Sequence, residues 1–258
     1  MIFTRSLRRL RAPLAAAAAL VALAAPALPQ VSPAQRAEFE TIIRDYLLKH
    51  PEVLREALIE LQRREKAEEA AARDKVVGDP ASPLYVSDNH AVVGNPKGKV
   101  TIVEFFDYNC GYCKRALDDL NKLIKTDPEV RVVLKDFPVL GPGSVEAAKV
   151  AQAVKRQLKG DKFFDFHQKL LLMRGQIGKG QALAAARDAG VDMDRLAKDL
   201  DSPQIVAGIE ETIKLGDALS ITGTPAYVVG KEVVVGAVGF DRLKTHVANV
   251  HKCGVAMC

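Results

Sequence analysis

Apolar positions along the chain follow two different spacings, which predict where helices and strands lie. From Phe39 to Leu47 and from Val53 to Leu61, apolar residues recur every three or four positions, as on one face of a helix. Val100–Phe106 and Val130–Lys135 are instead short runs of β-branched, aromatic and aliphatic residues, which favour buried strands. Amphipathic helices therefore precede an α/β domain.

The α/β domain has a predicted order of strand, helix, strand, helical block, hairpin and helix. This order describes a βαβ half and a ββα half with an all-helical insertion between them. The proposed elements are a short strand at 91–94, the strand at 100–106, a helix at 114–125, the strand at 130–135, a loop at 141–143, a helix from Ser144 to about Leu158, further helices to about residue 216, a hairpin of 226–229 and 232–235, and a helix at 240–251.

The amino-terminal helices are expected to form an oligomerisation arm. Ser32, Pro33 and Gln35 provide a helix start, whereas residues 62–75 are almost entirely charged or alanine, so they favour helix without an apolar face. Residues 31–75 are therefore interpreted as a helical arm and stalk, joined to a domain at 76–258 whose helical insertion covers about 144–216. The arm either packs back on the domain or covers its apolar stripes with another copy of the chain; the long polar stalk favours the second interpretation.

Residues 1–27 have the composition of a secretory signal peptide. Four arginines precede an apolar run from Leu14 to Ala25, and small residues follow. The alternative, a membrane anchor, is disfavoured because the run is short for a bilayer. Removal of the four arginines lowers the formal charge from +5 to near +1, which does not indicate nucleic-acid binding. We expect export to a bacterial periplasm, where disulfides can form.

Cys110-Gly111-Tyr112-Cys113 lies where a buried strand gives way to a helix. The positive end of a helix and its unpaired N–H groups favour a thiolate, the reactive form of cysteine. We expect Cys110 to attack substrates and Cys113 to be the resolving thiol, the two closing a redox-active disulfide. A zinc half-site or a structural bridge is the alternative; the only other cysteines are near the carboxyl terminus.

Two segments together resemble a known family. Glu104–Lys114, which contains the cysteine pair, and Gly223-Thr224-Pro225-Ala226 resemble the DsbA-like branch of the thioredoxin superfamily. With the amphipathic arm, the chain is most similar to the ScsC group, named for suppression of copper sensitivity. The resemblance covers about residues 84–251 and implies a thioredoxin-like fold, with a trimer formed through residues 31–75.

The resemblance also implies roles for individual residues. Pro225 would follow a cis peptide bond and face Cys110, with the Thr224 backbone free to pair with substrate; an ordinary trans proline is the alternative. Gly111 and Tyr112, between the sulfurs, would contact substrate and tune the thiolate. Glu104 would be a buried proton acceptor for Cys113, rather than a solvent-facing acid.

Cys253 and Cys258 at the carboxyl terminus have three possible states. They can form a small structural disulfide, remain free thiols, or bind copper(I) together with His251 and Met257, since these are soft ligands. No cofactor is expected for thiol exchange itself.

The leading hypothesis is a periplasmic disulfide isomerase or reductase that acts on misoxidised proteins as a homo-oligomer. The resemblance implies that a membrane reductase of the ScsB or DsbD type keeps the cysteine pair reduced. A monomeric DsbA-type oxidase would use the same residues from the oxidised state. A copper(I)-binding protein linked to copper tolerance is the alternative of another class.

Overall fold

The computed structural model describes residues 32–258, so the proposed signal peptide at 1–27 lies outside the described residues. Elements in the described range are α1 (Pro33–Lys49), α2 (Pro51–Gly78), β1 (Ala91–Gly94), β2 (Val100–Phe106), α3 (Gly111–Thr126), β3 (Val130–Asp136), α4 (Pro142–Lys155), α5 (Gly160–Leu172), α6 (Lys179–Asp188), α7 (Met193–Leu200), α8 (Pro203–Ala218), β4 (Ala226–Val229), β5 (Glu232–Val235) and α9 (Phe240–Cys253). Among these helices, none has the length and apolar character needed to cross a membrane.

Five strands form one mixed sheet in the order β1-β3-β2-β4-β5. β2 and β3 are parallel, whereas β1, β4 and β5 each pair antiparallel with their neighbours. The parallel pair is connected through α3, as a βαβ unit requires. β4 and β5 form a hairpin whose turn contains Gly230. The predicted α/β fold is thereby confirmed.

Each face of the sheet is covered by its own apolar cluster, because alternate side chains of a strand point to opposite faces. Ile102 and Phe106 of β2 belong to the cluster shared with α3 and α9. Val103 and Phe105 belong to the other, which includes residues of α8 and Val77 at the end of α2. Glu104 lies between Ile102 and Phe106 in sequence and thus on the α3 face of the sheet.

The helical insertion consists of α4 to α8 and begins earlier than the sequence predicts. The expected loop at 141–143 and the expected Ser144 cap are wrong: α4 starts at Pro142, with Gly141 at its N-cap position in the left-handed region (φ 107°). Proline is favoured in the first turn because it has no N–H to leave unpaired. The helix also ends at Lys155, short of the predicted Leu158.

Two compact units divide the chain, with the boundary after residue 59. Within the first unit, Ser32 caps α1 through a reciprocal pair of hydrogen bonds with Gln35, as its sequence predicts. α2 is a single helix of 28 residues that continues through the charged segment to Gly78. Since alanine, glutamate, lysine and arginine are strong helix formers, this segment needs no apolar face to stay helical.

Buried charges fasten the chain segment before β1 to the helical insertion. Lys155 Nζ donates to Asp136 Oδ2 at 2.6 Å and to the carbonyl of Asn89 at 2.9 Å. Lys135 Nζ, fully buried, donates to Glu211 Oε1 at 3.3 Å. Because loss of one partner would leave a buried charge unpaired, these contacts fix how the helices meet the sheet edge.

Candidate active site

The cysteine pair lies at the carboxyl end of β2, where the chain turns into α3. Cys110 is the N-cap residue of α3, and its Sγ accepts a hydrogen bond from the Cys113 N–H at 3.3 Å. The sulfur therefore occupies the position that a serine or aspartate side chain usually takes at a helix start. This places a potential anion against the positive end of a 16-residue helix.

A hydrogen-bond network that sequence reasoning missed holds this turn in shape. The Asp107 carboxylate accepts from the Asn109 N–H at 2.7 Å, from Ser144 Oγ at 2.7 Å and from the Leu140 N–H at 3.0 Å. Asn109 in turn bonds both backbone groups of Ile177, at 2.7 and 2.9 Å. The turn is thus tied to the start of α4 and to the loop after α5. Its only sequence signal was the Asp-x-Asn spacing before Cys110, which favours a side-chain-stabilised turn.

The surroundings of Cys110 favour its thiolate. Hydrogen bonds from Cys113, from Thr224 and from the Tyr112 and Cys113 backbone outweigh burial and lower the pKa of Cys110 to about 5. When protonated, Cys110 Sγ donates to the Thr224 carbonyl oxygen at 3.1 Å. Both cysteines are free in this structure. Cys110 is 4% exposed and Cys113 is fully buried, so Cys110 is the sulfur nearer solvent.

Cys113 is held as a thiol beside a buried acid. Hydrogen bonding to Cys110, burial and the negative charge of Glu104 raise the pKa of Cys113 far above its ordinary value. Burial also raises the pKa of Glu104 to about 8, a rise that a hydrogen bond from Tyr227 opposes. Glu104 is 3% exposed, so the structure places it in the interior on the α3 face of the sheet. At neutral pH, Cys113 thus carries its proton, and the minority carboxylate form of Glu104 is the form that can accept it.

The loop before β4 faces the cysteines. The Thr224–Pro225 peptide bond is cis, and Pro225 is buried. Beside this loop, Tyr112 is 61% exposed, with the guanidinium carbon of Arg115 4.2 Å from the centre of its ring. Gly111 is also exposed. The structure therefore brings together the seven residues proposed for catalysis and substrate contact: Glu104, Cys110, Gly111, Tyr112, Cys113, Thr224 and Pro225.

The carboxyl-terminal cysteines form a separate centre. Cys253 and Cys258 are joined by a disulfide at the end of α9, and both residues are exposed. His251, a copper candidate, instead has Nε2 3.2 Å from Asp127 Oδ2. Among the residues from 32 onward, no three histidine, cysteine or acidic side chains gather as a metal site. In the disulfide state the two sulfurs are not thiolates, so the proposed copper set of His251, Cys253, Met257 and Cys258 lacks its soft anionic ligands.

Comparison with known proteins decides the family. Residues 101–248, more than half of the chain, match the family model of the DSBA-like thioredoxin domain. The chain belongs to this DSBA-like family. Residues 35–68 separately match the model of the Copper resistance protein ScsC N-terminal domain, which covers much of α1 and α2. The resemblance to DsbA-like and ScsC proteins is thus confirmed.

Solved structures of DsbA-like proteins support the same assignment. A thioredoxin-like oxidoreductase from Silicibacter pomeroyi is 38% identical, with a TM-score of 0.61 over 70% of this chain and 98% of that one. A linker-deletion mutant of Proteus mirabilis ScsC is 26% identical, with a TM-score of 0.64 over 88% of this chain and 99% of that one. Family and structures together indicate a thiol–disulfide oxidoreductase of the DsbA and ScsC type.

Curated relatives of this DSBA-like domain include longer proteins. The Na(+)/H(+) antiporter NhaA 1 of Salinispora arenicola is 27% identical over 63% of this chain and 25% of the antiporter. The chain thus spans about a quarter of that relative's length.

Proposed function

We propose that the chain is a periplasmic disulfide isomerase and reductase that acts on misoxidised proteins. The observation that carries this proposal is the pairing of a solvent-side sulfur favoured as thiolate, Cys110, with a buried thiol, Cys113, beside an acid. The thiolate nearer solvent can attack a foreign disulfide, and the protonated internal thiol does not react until a mixed disulfide has formed.

The first step is attack on the substrate. The Cys110 thiolate attacks one sulfur of a substrate disulfide, so a bond forms between Cys110 and that sulfur while the substrate's own S–S bond breaks. The second substrate sulfur leaves as a thiolate. The exposed Tyr112 and Gly111 offer a surface beside Cys110, and the backbone of Thr224 borders the same sulfur, so an extended substrate segment can lie along them.

Two routes release the substrate from this mixed disulfide. In isomerisation, a substrate thiolate attacks the substrate sulfur, which forms a new substrate disulfide and restores the Cys110 thiolate. In reduction, Cys113 gives its proton to Glu104 and attacks Cys110 Sγ. The Cys110–Cys113 disulfide then forms, the bond to substrate breaks, and the reduced substrate leaves.

The arm favours isomerisation over oxidation. Large apolar side chains of α1 and α2 are more than half exposed in the single chain, among them Ile43 (58%), Leu48 (70%) and Leu58 (61%). Such a surface is stable in water when another copy covers it. A homo-oligomer, which the resemblance suggests is a trimer, would surround one client with several cysteine pairs and so raise their effective concentration. A DsbA-type oxidase would have no such need.

We also propose a reducing partner for the cysteine pair and a periplasmic location for the chain. Isomerisation needs a reduced cysteine pair, so we place a membrane dithiol reductase of the ScsB or DsbD type upstream of Cys110. The composition of residues 1–27 supports export to the periplasm, where client disulfides form.

Deletion of residues 31–75 tests the function. The remaining chain keeps Val77, which packs in the core, and the whole cysteine site. We expect this chain to reduce insulin at a rate near that of the full chain but to lose most of its reactivation of a scrambled-disulfide substrate.

A matched full-length control separates the arm from the chemistry. The Cys110→Ser variant should lose both insulin reduction and reactivation, whereas the deleted chain should lose only the second. Equal reactivation by deleted and full chains would refute the contribution of the arm to isomerisation, whereas a full chain that does not reactivate the substrate would refute the isomerase proposal.

A further inference from the structure

Tyr227 is buried directly beside Glu104. The two are opposite residues in the antiparallel pairing of β4 with β2, so their side chains share one face of the sheet. Tyr227 is fully buried, and its Oη donates to Glu104 Oε1 at 3.4 Å. We propose that Tyr227 is a positioning residue for the resolving step, holding one oxygen of Glu104 so that the other takes the proton of Cys113.

The neighbouring groups suit the phenol to this role. Burial and the negative charges of Glu104, Cys113 and Asp119 raise the pKa of Tyr227, so the phenol remains a donor throughout the range in which proteins work. The charge of Cys110, the N-cap residue of α3, also acts on Glu104 and raises its pKa. These are the titratable groups of α3 that act on the pair.

α9 packs on β2 and β4 as well, and its buried titratable side chain is His246. The His246 ring is engaged elsewhere: Nδ1 lies 3.0 Å from the carbonyl oxygen of Ala256. Among the described residues, Tyr227 is therefore the side chain that donates to Glu104.

The proposal rests on the function given above, in which Glu104 accepts the proton of Cys113. In that step the Cys113 S–H bond breaks and its proton moves to Glu104. The Cys113 sulfur forms a bond to Cys110 Sγ, and the bond between Cys110 and the substrate sulfur breaks with departure of a thiolate. Tyr227 enters no bond change. It stabilises the carboxylate form of Glu104, which is the form that can accept the proton.

Tyr227 lies on the strand that joins the region of Glu104 to the loop beside Cys110. It lies two residues after Pro225, on the strand that continues from the loop facing Cys110. The carbonyl of Thr224, in the same loop, lies 3.1 Å from Cys110 Sγ. Tyr227 thus lies on the short length of strand between this loop and its partner Glu104.

The test is the full-length Tyr227→Phe variant, which removes the hydroxyl and keeps the ring. The reduced protein is mixed with one equivalent of dithiobis-nitrobenzoate, and release of the coloured thiolate is followed by stopped flow from pH 6 to 10. The first phase reports attack by Cys110 and the second reports displacement by Cys113. We expect the pH midpoint of the second phase to rise by about one unit, because a hydrogen bond to an ionised group contributes about that much. The first phase should change less than about twofold.

Two other variants separate the outcomes. Tyr85→Phe removes a hydroxyl that bonds the carbonyls of Val77 and Gly230, away from the cysteines, and should keep the wild-type midpoint. In a Glu104→Gln background, Tyr227→Phe should cause no further shift. An unchanged midpoint in Tyr227→Phe, with a second phase that still depends on Glu104, would overturn the positioning role alone. A second phase that is insensitive to Glu104→Gln would instead overturn the proposed function of Glu104.

If Tyr227→Phe does not fold, the unaltered protein provides the measurement. The ¹³C shifts of the Tyr227 Cζ atom and the Glu104 carboxyl carbon should titrate with the same midpoint. A Tyr227 signal that stays constant while Glu104 titrates would contradict the proposal.

Discussion

At the scale of single residues, the site separates two chemically identical side chains by their surroundings. Cys110 caps a helix and has its pKa lowered to about 5, whereas Cys113, three positions later, is buried beside Glu104 and has its pKa raised. Stabilising the Cys110 thiolate stabilises the dithiol form of the pair relative to its disulfide. Once reduced, the pair therefore keeps a reactive thiolate at Cys110.

The two cysteines should fail in different ways when replaced. Cys110→Ser removes the attacking sulfur and should abolish thiol exchange. Cys113→Ser keeps attack but removes the internal release route, so mixed disulfides with clients should accumulate several-fold on non-reducing gels. The double variant Cys253→Ser/Cys258→Ser is the control and should retain exchange. If the Cys110→Ser variant still exchanged thiols and disulfides, Cys110 would be excluded as the attacking residue.

The buried Glu104 should make stability depend on pH. Its pKa is about 8 in the folded chain against 4.5 as reference, so the folded state holds the proton more tightly. This contribution is complete below pH 4.5 and is lost as pH rises through 8. In the oxidised protein, where Cys110 and Cys113 do not titrate, the advantage of Glu104→Gln in unfolding free energy should grow with pH, by at most about 1.4 kcal/mol per unit.

Urea unfolding at several pH values measures this difference. Glu210→Gln, at an exposed position of α8, controls for the loss of one surface carboxylate. A constant difference between wild type and Glu104→Gln from pH 4.5 to 8 would contradict burial of an uncharged Glu104.

At the scale of elements, the sequence predicted those helices and strands whose boundaries depend on neighbouring residues. β2 was predictable because Val100–Phe106 is bounded and apolar, and α1 because Ser32 and Gln35 form a capping box. Ser144 was wrongly predicted to cap α4, because its hydroxyl instead donates to Asp107, 37 positions away. No local rule anticipates that contact, since it exists only after the insertion has packed on the turn.

The packing of α8 on β3 depends on a glycine. A Cβ at Gly216 would lie 2.5 and 2.7 Å from ring carbons of Phe137, which packs edge-on against Phe105 of β2. Gly216→Ala should therefore lower the unfolding free energy by about 1–3 kcal/mol through overpacking. Urea denaturation with Gly180→Ala as control checks this, because no atom lies within 4 Å of a Cβ at Gly180. Equal stability of the two alanine variants would show that Phe137 can move aside at little cost.

At the scale of the whole molecule, the arm has large apolar side chains that are exposed on α1 and α2. Its sequence alone suggested two apolar stripes, and the exposed side chains of α1 and α2 agree with this. The number of copies was suggested only by resemblance, because an interface between identical helices depends on packing geometry that one sequence does not contain. The number of copies in the assembly must therefore be measured as a mass in solution.

Charged substitutions in the arm should dissociate the proposed oligomer. Ile43→Glu with Leu58→Glu places charges on exposed apolar positions, so the fold of each chain should persist while the mass falls to that of one chain. Arg36→Glu with Arg55→Glu adds the same residue type at polar positions and should keep the assembly. Light scattering after size exclusion gives the masses. A wild-type chain of single-copy mass, or an unchanged mass in Ile43→Glu/Leu58→Glu, would exclude an oligomer built on these helices.

The disulfide at the end of α9 changes how the redox state of this protein must be followed in cells. The chain has four cysteines in two pairs, one buried at the start of α3 and one exposed at Cys253 and Cys258. A maleimide tag that adds mass to every free sulfhydryl would give the same intermediate band for a molecule with either pair open. Peptide mapping, or the Cys253→Ser/Cys258→Ser background, is needed before that band can be assigned to the catalytic pair.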